Sequence, residues 1–196
     1  MNVQFTDKKE SIFNQTLLLI KENGFHGTPM SKIAKQSDVA VGTIYHYFPS
    51  KEVLIVDLYH YCKGKVHGYI FEKLDVISSY KERFEHVFSR FCAFYIENPI
   101  IFSFMDQFYS SPYFELHSCK NSDGFYEQNQ MIGFLLEGME SKNLKEHDVH
   151  TLAAAYIGAA VAFSKSILYR KIKFEEKNLK ELIDIIWQGA KYDNEN

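Results

Sequence analysis

Along most of the chain apolar side chains recur every three or four residues, and no stretch alternates with period two for long. That pattern predicts helices. Residues 7–23 place Ile12, Thr16, Leu19 and Ile20 on one stripe, and Asn23-Gly24 supplies the expected C-terminal stop. Thr28-Pro29 reads as a helix start, with Thr28 as N-cap and Pro29 at the first helical position. Met30, Ile33 and Ala34 then line one face, while Ser31, Lys32 and Lys35 point away. Gln36 to Val39 leave room for a turn. A second short helix runs from Gly42 to Phe48, where Pro49 discourages continuation. Ser50 caps a long helix with Glu52 in its first turn; Leu54, Leu58, Tyr61 and Cys62 carry its inner stripe on to about residue 75.

Beyond this point the apolar positions thicken. Residues 80–97 carry Tyr80, Phe84, Val87, Phe88, Phe91 and Tyr95 at helical spacing, with Phe94 and Ile96 as a second edge. A helix apolar on two sides belongs between neighbours. Pro99–Tyr109 is a short helix, residues 113–121 an irregular connection, and 123–142 a further helix. Two more follow at 147–171 and 175–192. The first holds the small-residue run Ala153 to Ala162, which admits a close neighbour; the second has a stripe of Leu179, Leu182, Ile183, Ile186, Trp187 and Ala190. With four prolines and ten glycines in 196 residues, the economical fold class is all-α.

The stretch Thr28–Lys51 carries the functional signal. At 100° per residue Ile44 and Phe48 share one face of the second short helix, and His46 lies opposite with Thr43 and Tyr47 beside it. Hydroxyls, rings and an imidazole are what a helix offered to a DNA groove needs. The run Gly42-Thr43-Ile44-Tyr45-His46-Tyr47-Phe48, followed by Ser50-Lys51-Glu52, closely resembles the helix-turn-helix of tetracycline-repressor (TetR) family regulators. The match extends back through Ile12, Ile20, Gly24, Phe25, Thr28, Ile33 and Ala34 and covers roughly the first quarter to third of the chain.

The resemblance implies a three-helix DNA-binding head over residues 1–50 and a helical ligand-binding and dimerisation bundle over 51–196. It implies that Thr43, Tyr45, His46 and Tyr47 enter or flank the major groove, and that Thr28, Ser31 and Lys51 hold phosphates. In such a protein the helix beginning at Ser50 joins head to body, so its tilt would move the recognition helix. Two departures from the family pattern stand out. Asp38 occupies the turn position where a glycine is usual, and Ala40-Val41 replace a capping Ser or Thr followed by a polar or basic residue. Losing that cap costs about 1 kcal/mol.

Charge is compatible with this reading once the chain is divided. The net charge is −3, yet residues 1–65 hold eight lysines against six acids, +2, and residues 66–196 hold 14 basic against 19 acidic groups, −5. Residues 80–134 hold 15 of the 31 aromatic side chains, a concentration that suits an irregular apolar pocket. Its expected lining is Phe88, Phe91, Tyr95, Phe102, Met105, Phe108 and Phe134, with His86, Arg90, Asp106, Gln107 and His117 as groups able to orient a ligand. His147 and His150, three apart, are expected to be solvated helix residues rather than metal ligands. Cys62, Cys92 and Cys119 lack CxxC spacing and read as reduced thiols.

No nucleophile with its base, phosphate loop or carboxylate pair is recognisable, so no enzyme activity, cofactor or metal is expected. The N-terminus lacks the apolar core of a signal peptide and no window reaches 18 apolar residues, so a cytoplasmic protein without membrane contact is expected. The expected function is a homodimeric repressor, joined through 147–171 and 175–192, that a small, largely apolar or aromatic ligand releases from double-stranded operator DNA. The alternative, suggested by Ala40 and Val41, is a helical ligand-binding or interaction protein that no longer recognises DNA.

Overall fold

The structure, a computed structural model, describes the backbone of residues 3–120 and 130–193, and within these the side chains of 8–116 and 130–193. All elements in the described residues are helical apart from one isolated bridge, Leu144 to Lys191. The chain forms two compact units: Met1–Gly64 with Asn98–Lys120, and Lys65–Glu97 with Asn121–Asn196. This division differs from the expected boundary after residue 50.

The first unit contains α1 (Val3–Asn23), α2 (Met30–Gln36), α3 (Val41–Tyr47), most of α4 (Lys51–Ile70), α6 (Pro99–Tyr109) and α7 (Pro112–Lys120). Gly24 ends α1 with φ 65°, the left-handed conformation that glycine adopts without steric cost. Phe25 then turns its ring toward Phe104 of α6 and Tyr113 of α7, at 6.0 and 5.1 Å between centroids. Those contacts draw α6 and α7 into the N-terminal unit. Tyr59 of α4 stacks on Phe108 of α6 at 4.4 Å and 12°. Ser50 accepts from Val53 N–H at 3.3 Å and so caps α4.

Three local expectations are corrected. Thr28 does not cap α2; Pro29 takes the N-cap position in extended conformation, and the fully buried Thr28 hydroxyl donates to Gly24 O at 2.8 Å. The hydroxyl therefore serves the end of α1, not the start of α2. Residues 113–121, expected to be irregular, begin inside a helix, because Ser111 and Pro112 start α7 instead of merely ending α6. Finally, α4 ends at Ile70, not near 75. Its last turn tightens through Glu72 N–H to Tyr69 O, Lys73 takes φ 58°, and a 3-10 turn follows at Leu74–Val76.

The second unit packs α5 (Tyr80–Glu97) against α9 (Val149–Arg170) and α10 (Glu176–Ala190), with α8 (Gln130–Glu140) beside α9. Tyr156 of α9 is fully buried; its hydroxyl donates to Phe84 O at 2.7 Å, and the rings of Phe84 and Phe88 meet it edge-on. Phe84 also meets Trp187 of α10 at 5.2 Å. Tyr80 stacks on Phe134 at 5.1 Å and donates to Phe134 O at 2.9 Å. Beside these contacts Arg90 fastens the end of α4. Its Nε donates to Tyr69 O at 2.6 Å, its guanidinium lies 3.9 Å from the Tyr69 ring centroid, and its Nη2 pairs with Glu72 at 2.6 Å.

Candidate nucleic-acid interface

The interface is built on α2, the turn after it, and α3. Ile33 and Ala34 have no exposed surface, which fixes α2 by its inner face. The chain reverses at Asp38, with φ 53°, where a side chain carries a steric cost that glycine does not. Val39 N–H bonds Ala34 O at 3.0 Å and closes the end of α2. Ala40 then takes extended dihedrals and offers no side-chain cap, so α3 begins with its first N–H groups unserved by any side chain.

What holds α3 is burial. Ile44 and Phe48 are fully buried, as the 100° spacing predicts. The Phe48 ring lies 5.5 Å from Phe13 of α1. Lys9 Nζ sits 5.4 Å from both of those rings and pairs with Asp57 of α4 at 3.1 Å. Phe13 also meets Tyr61 at 4.9 Å, and the Tyr61 hydroxyl donates to Glu10. The short helix thus rests on a bracket between α1 and α4.

The outward side carries Val41, Gly42, Tyr45 and His46, all exposed, with Thr43 and Tyr47 half-buried at its edge. The His46 and Tyr47 rings meet edge-on at 6.0 Å. Tyr45 and His46 therefore lie on the accessible side of α3 with Thr43 and Tyr47 at its edge, and Ser31 is exposed on α2. Thr28 is not among them, since its hydroxyl is internal. Lys51 is also placed differently. Its half-buried ammonium donates to Phe25 O, and burial pushes its pKa below the usual lysine value. It braces the turn after α1 instead of reaching outward. Val41 and Gly42 were missed as part of this side, although Val41 stands four residues before Tyr45 and so shares its edge.

The seven expected pocket residues are all buried but divide between the units: Phe102, Met105 and Phe108 in the first, Phe88, Phe91, Tyr95 and Phe134 in the second. Several are already engaged by other rings, Phe91 with Tyr95 at 5.0 Å and Phe108 with Tyr59. Of the polar candidates, Arg90 is committed to Tyr69 and Glu72, His86 lies 3.3 Å from Glu72 O, and Gln107 donates to Ser103. The His117 and Cys119 side chains lie outside the described residues. Asp148, between the exposed His147 and the α9 residues, accepts from Thr151 N–H and Oγ1 at 2.8 Å each and so serves as a helix cap.

Two family models cover most of the chain: bacterial regulatory proteins of the tetR family over residues 12–58, and the tetracyclin repressor-like C-terminal domain over 79–190. The chain belongs to the TetR family. Its members are transcriptional regulators, and the helix-turn-helix above is this chain's DNA-binding element. An uncharacterized HTH-type transcriptional regulator of Haemophilus influenzae is 33% identical over 137 residues, covering 67% of this chain and 73% of that one. A crystal structure of a TetR-family regulator from the same organism matches with TM-score 0.83 and 25% identity over 97% of this chain and 100% of that one. FadR of Bacillus subtilis in complex with stearoyl-CoA matches with TM-score 0.74 and 25% identity, over 92% and 98% of the two chains.

Proposed function

We propose that this TetR-family regulator is a homodimeric repressor that a small, largely apolar ligand releases from operator DNA. Thr43, Tyr45, His46 and Tyr47 lie in or beside the major groove, and Ser31 on α2 holds a phosphate. Lys51 positions the turn below them. The dimer is supported by α9, which is long and apolar enough to cross a membrane yet is buried on one face only. Leu152, Ala153, Tyr156, Ala160 and Ser164 pack inward, while Ala154, Ala155, Gly158 and Ala162 are exposed. On α10, Ile185 is exposed as well. Small side chains on an exposed helix face suit close packing against the same face of a second subunit.

The observation that carries the ligand class is the chain-long likeness to FadR bound to stearoyl-CoA. A long-chain acyl thioester is therefore the first effector to test. It relieves repression only by binding the DNA-incompetent arrangement more tightly, and a coupling of about 1–3 kcal/mol would change operator affinity roughly 5- to 150-fold. The experiment is operator binding with stearoyl-CoA and with free coenzyme A, after selecting the operator from random DNA, alongside light scattering. Weakened operator binding with stearoyl-CoA alone, by a dimer, is expected. A monomer at micromolar concentration would remove the dimer, and unchanged operator affinity would remove the acyl thioester.

A further inference from the structure

We infer that α3 selects its operator chiefly through thymine C5 methyl groups, which Val41 and Tyr45 contact in the major groove. The inference rests on the reading above that α3 faces the groove. The sequence of α3, Val-Gly-Thr-Ile-Tyr-His-Tyr, contains no Arg, Lys, Asn, Gln, Asp or Glu. It therefore lacks the bidentate donors that read guanine, the amides that read adenine and the carboxylates that read cytosine. Its edge through Val41 and Tyr45 is largely apolar. Val41 is 46% exposed and Tyr45 48%, and at i and i+4 they form one continuous edge, preceded by the exposed Ala40.

Docking takes that edge out of water, which is favourable in itself, but against a polar base edge it also dries donors and acceptors that gain no partner, a cost that apolar surface on the other side avoids. Among the base edges in the major groove the thymine methyl is the one apolar group. The opposite edge carries the His46 imidazole, able to make a hydrogen bond beside the methyl contact. Gly42 lies between the two edges, and apart from its chain neighbours and the backbone of α3 no atom stands within 4 Å of where its Cβ would be. The space there is open to the groove.

The test uses the full chain and an operator selected from random DNA. Each thymine of one half-site is replaced singly by deoxyuridine, which keeps every hydrogen-bonding group and removes only the methyl. Affinity is read by fluorescence anisotropy. At one or two positions the wild type should bind about fourfold more weakly, the effect of leaving one methyl unburied. Val41→Ala and Tyr45→Ala, both at exposed positions, should each bind the thymine operator more weakly and lose the uridine effect at one of those positions. An operator bound equally with thymine or uridine everywhere would overturn the inference while leaving DNA binding intact. So would uridine effects that persist in full in both variants. If random DNA yields no preferred sequence, the groove reading falls and this inference with it.

Discussion

Substituting Gly42 by alanine should move stability and DNA binding in opposite directions. Gly42 is exposed in the first turn of α3 at a negative φ, and beyond its chain neighbours and the backbone of α3 nothing lies within 4 Å of the added methyl. Packing therefore neither opposes nor rewards the change. Alanine restricts the unfolded chain and favours the helix by about 0.5–1 kcal/mol. For a chain of this length that raises the thermal midpoint by about 2–4 °C per kcal/mol. The same methyl projects from the side of α3 that we propose faces DNA. If it displaces one base-edge contact, the loss is about 1–3 kcal/mol, roughly 5- to 150-fold in operator affinity. Circular dichroism melting and anisotropy on one preparation give both numbers. A more stable variant with unchanged affinity would refute the close approach of DNA at Gly42, and a less stable one would refute the open geometry around it.

Other outcomes follow from single contacts. Asp38→Gly relieves a side chain held at φ 53° and should stabilise the protein by a few tenths to about 1 kcal/mol, read from the urea midpoint. Lys51→Ala should lower the thermal midpoint by removing the donor to Phe25 O yet leave the salt dependence of DNA binding unchanged; a slope shallower by about 1 would return Lys51 to the phosphates. Burial pushes the Cys92 thiol up to about 12, so the folded protein keeps this proton after the unfolded chain has lost it near pH 9. Stability should therefore fall as pH rises from 9 to 10, by up to about 1.4 kcal/mol, and Cys92→Ala should flatten that fall in urea titrations.

The helix-turn-helix was legible because its determinants are local. Ile44 and Phe48 turn inward at the spacing the sequence shows, Gly24 ends α1 with positive φ, and α5 and α6 keep the predicted limits. What escaped the sequence depends on partners far along the chain or on which of two neighbours a group serves. Thr28 could cap forward or bond backward, and only the extended conformation of Pro29 decides it. Nothing in Ser110-Ser111-Pro112 says whether a helix stops there or one stops and another starts. The grouping of α6 and α7 with the N-terminal helices arises from Phe25 meeting Phe104 and Tyr113, roughly 80 to 90 residues away, beyond the reach of any periodicity.

The fastening of α4 by Arg90 has a consequence for the kinds of signal this regulator can hear. A guanidinium keeps its charge at every pH a cell meets, so acidity cannot undo the bond to Tyr69 O or the contact with the Tyr69 ring. Salt weakens only the Glu72 arm, whose carboxylate is more than half exposed. Lysine in the same place would keep the charge and lose the planar fork that makes these contacts at once. Swings in ion content or acidity therefore reach only the Glu72 arm of this joint and leave both contacts to Tyr69 in place.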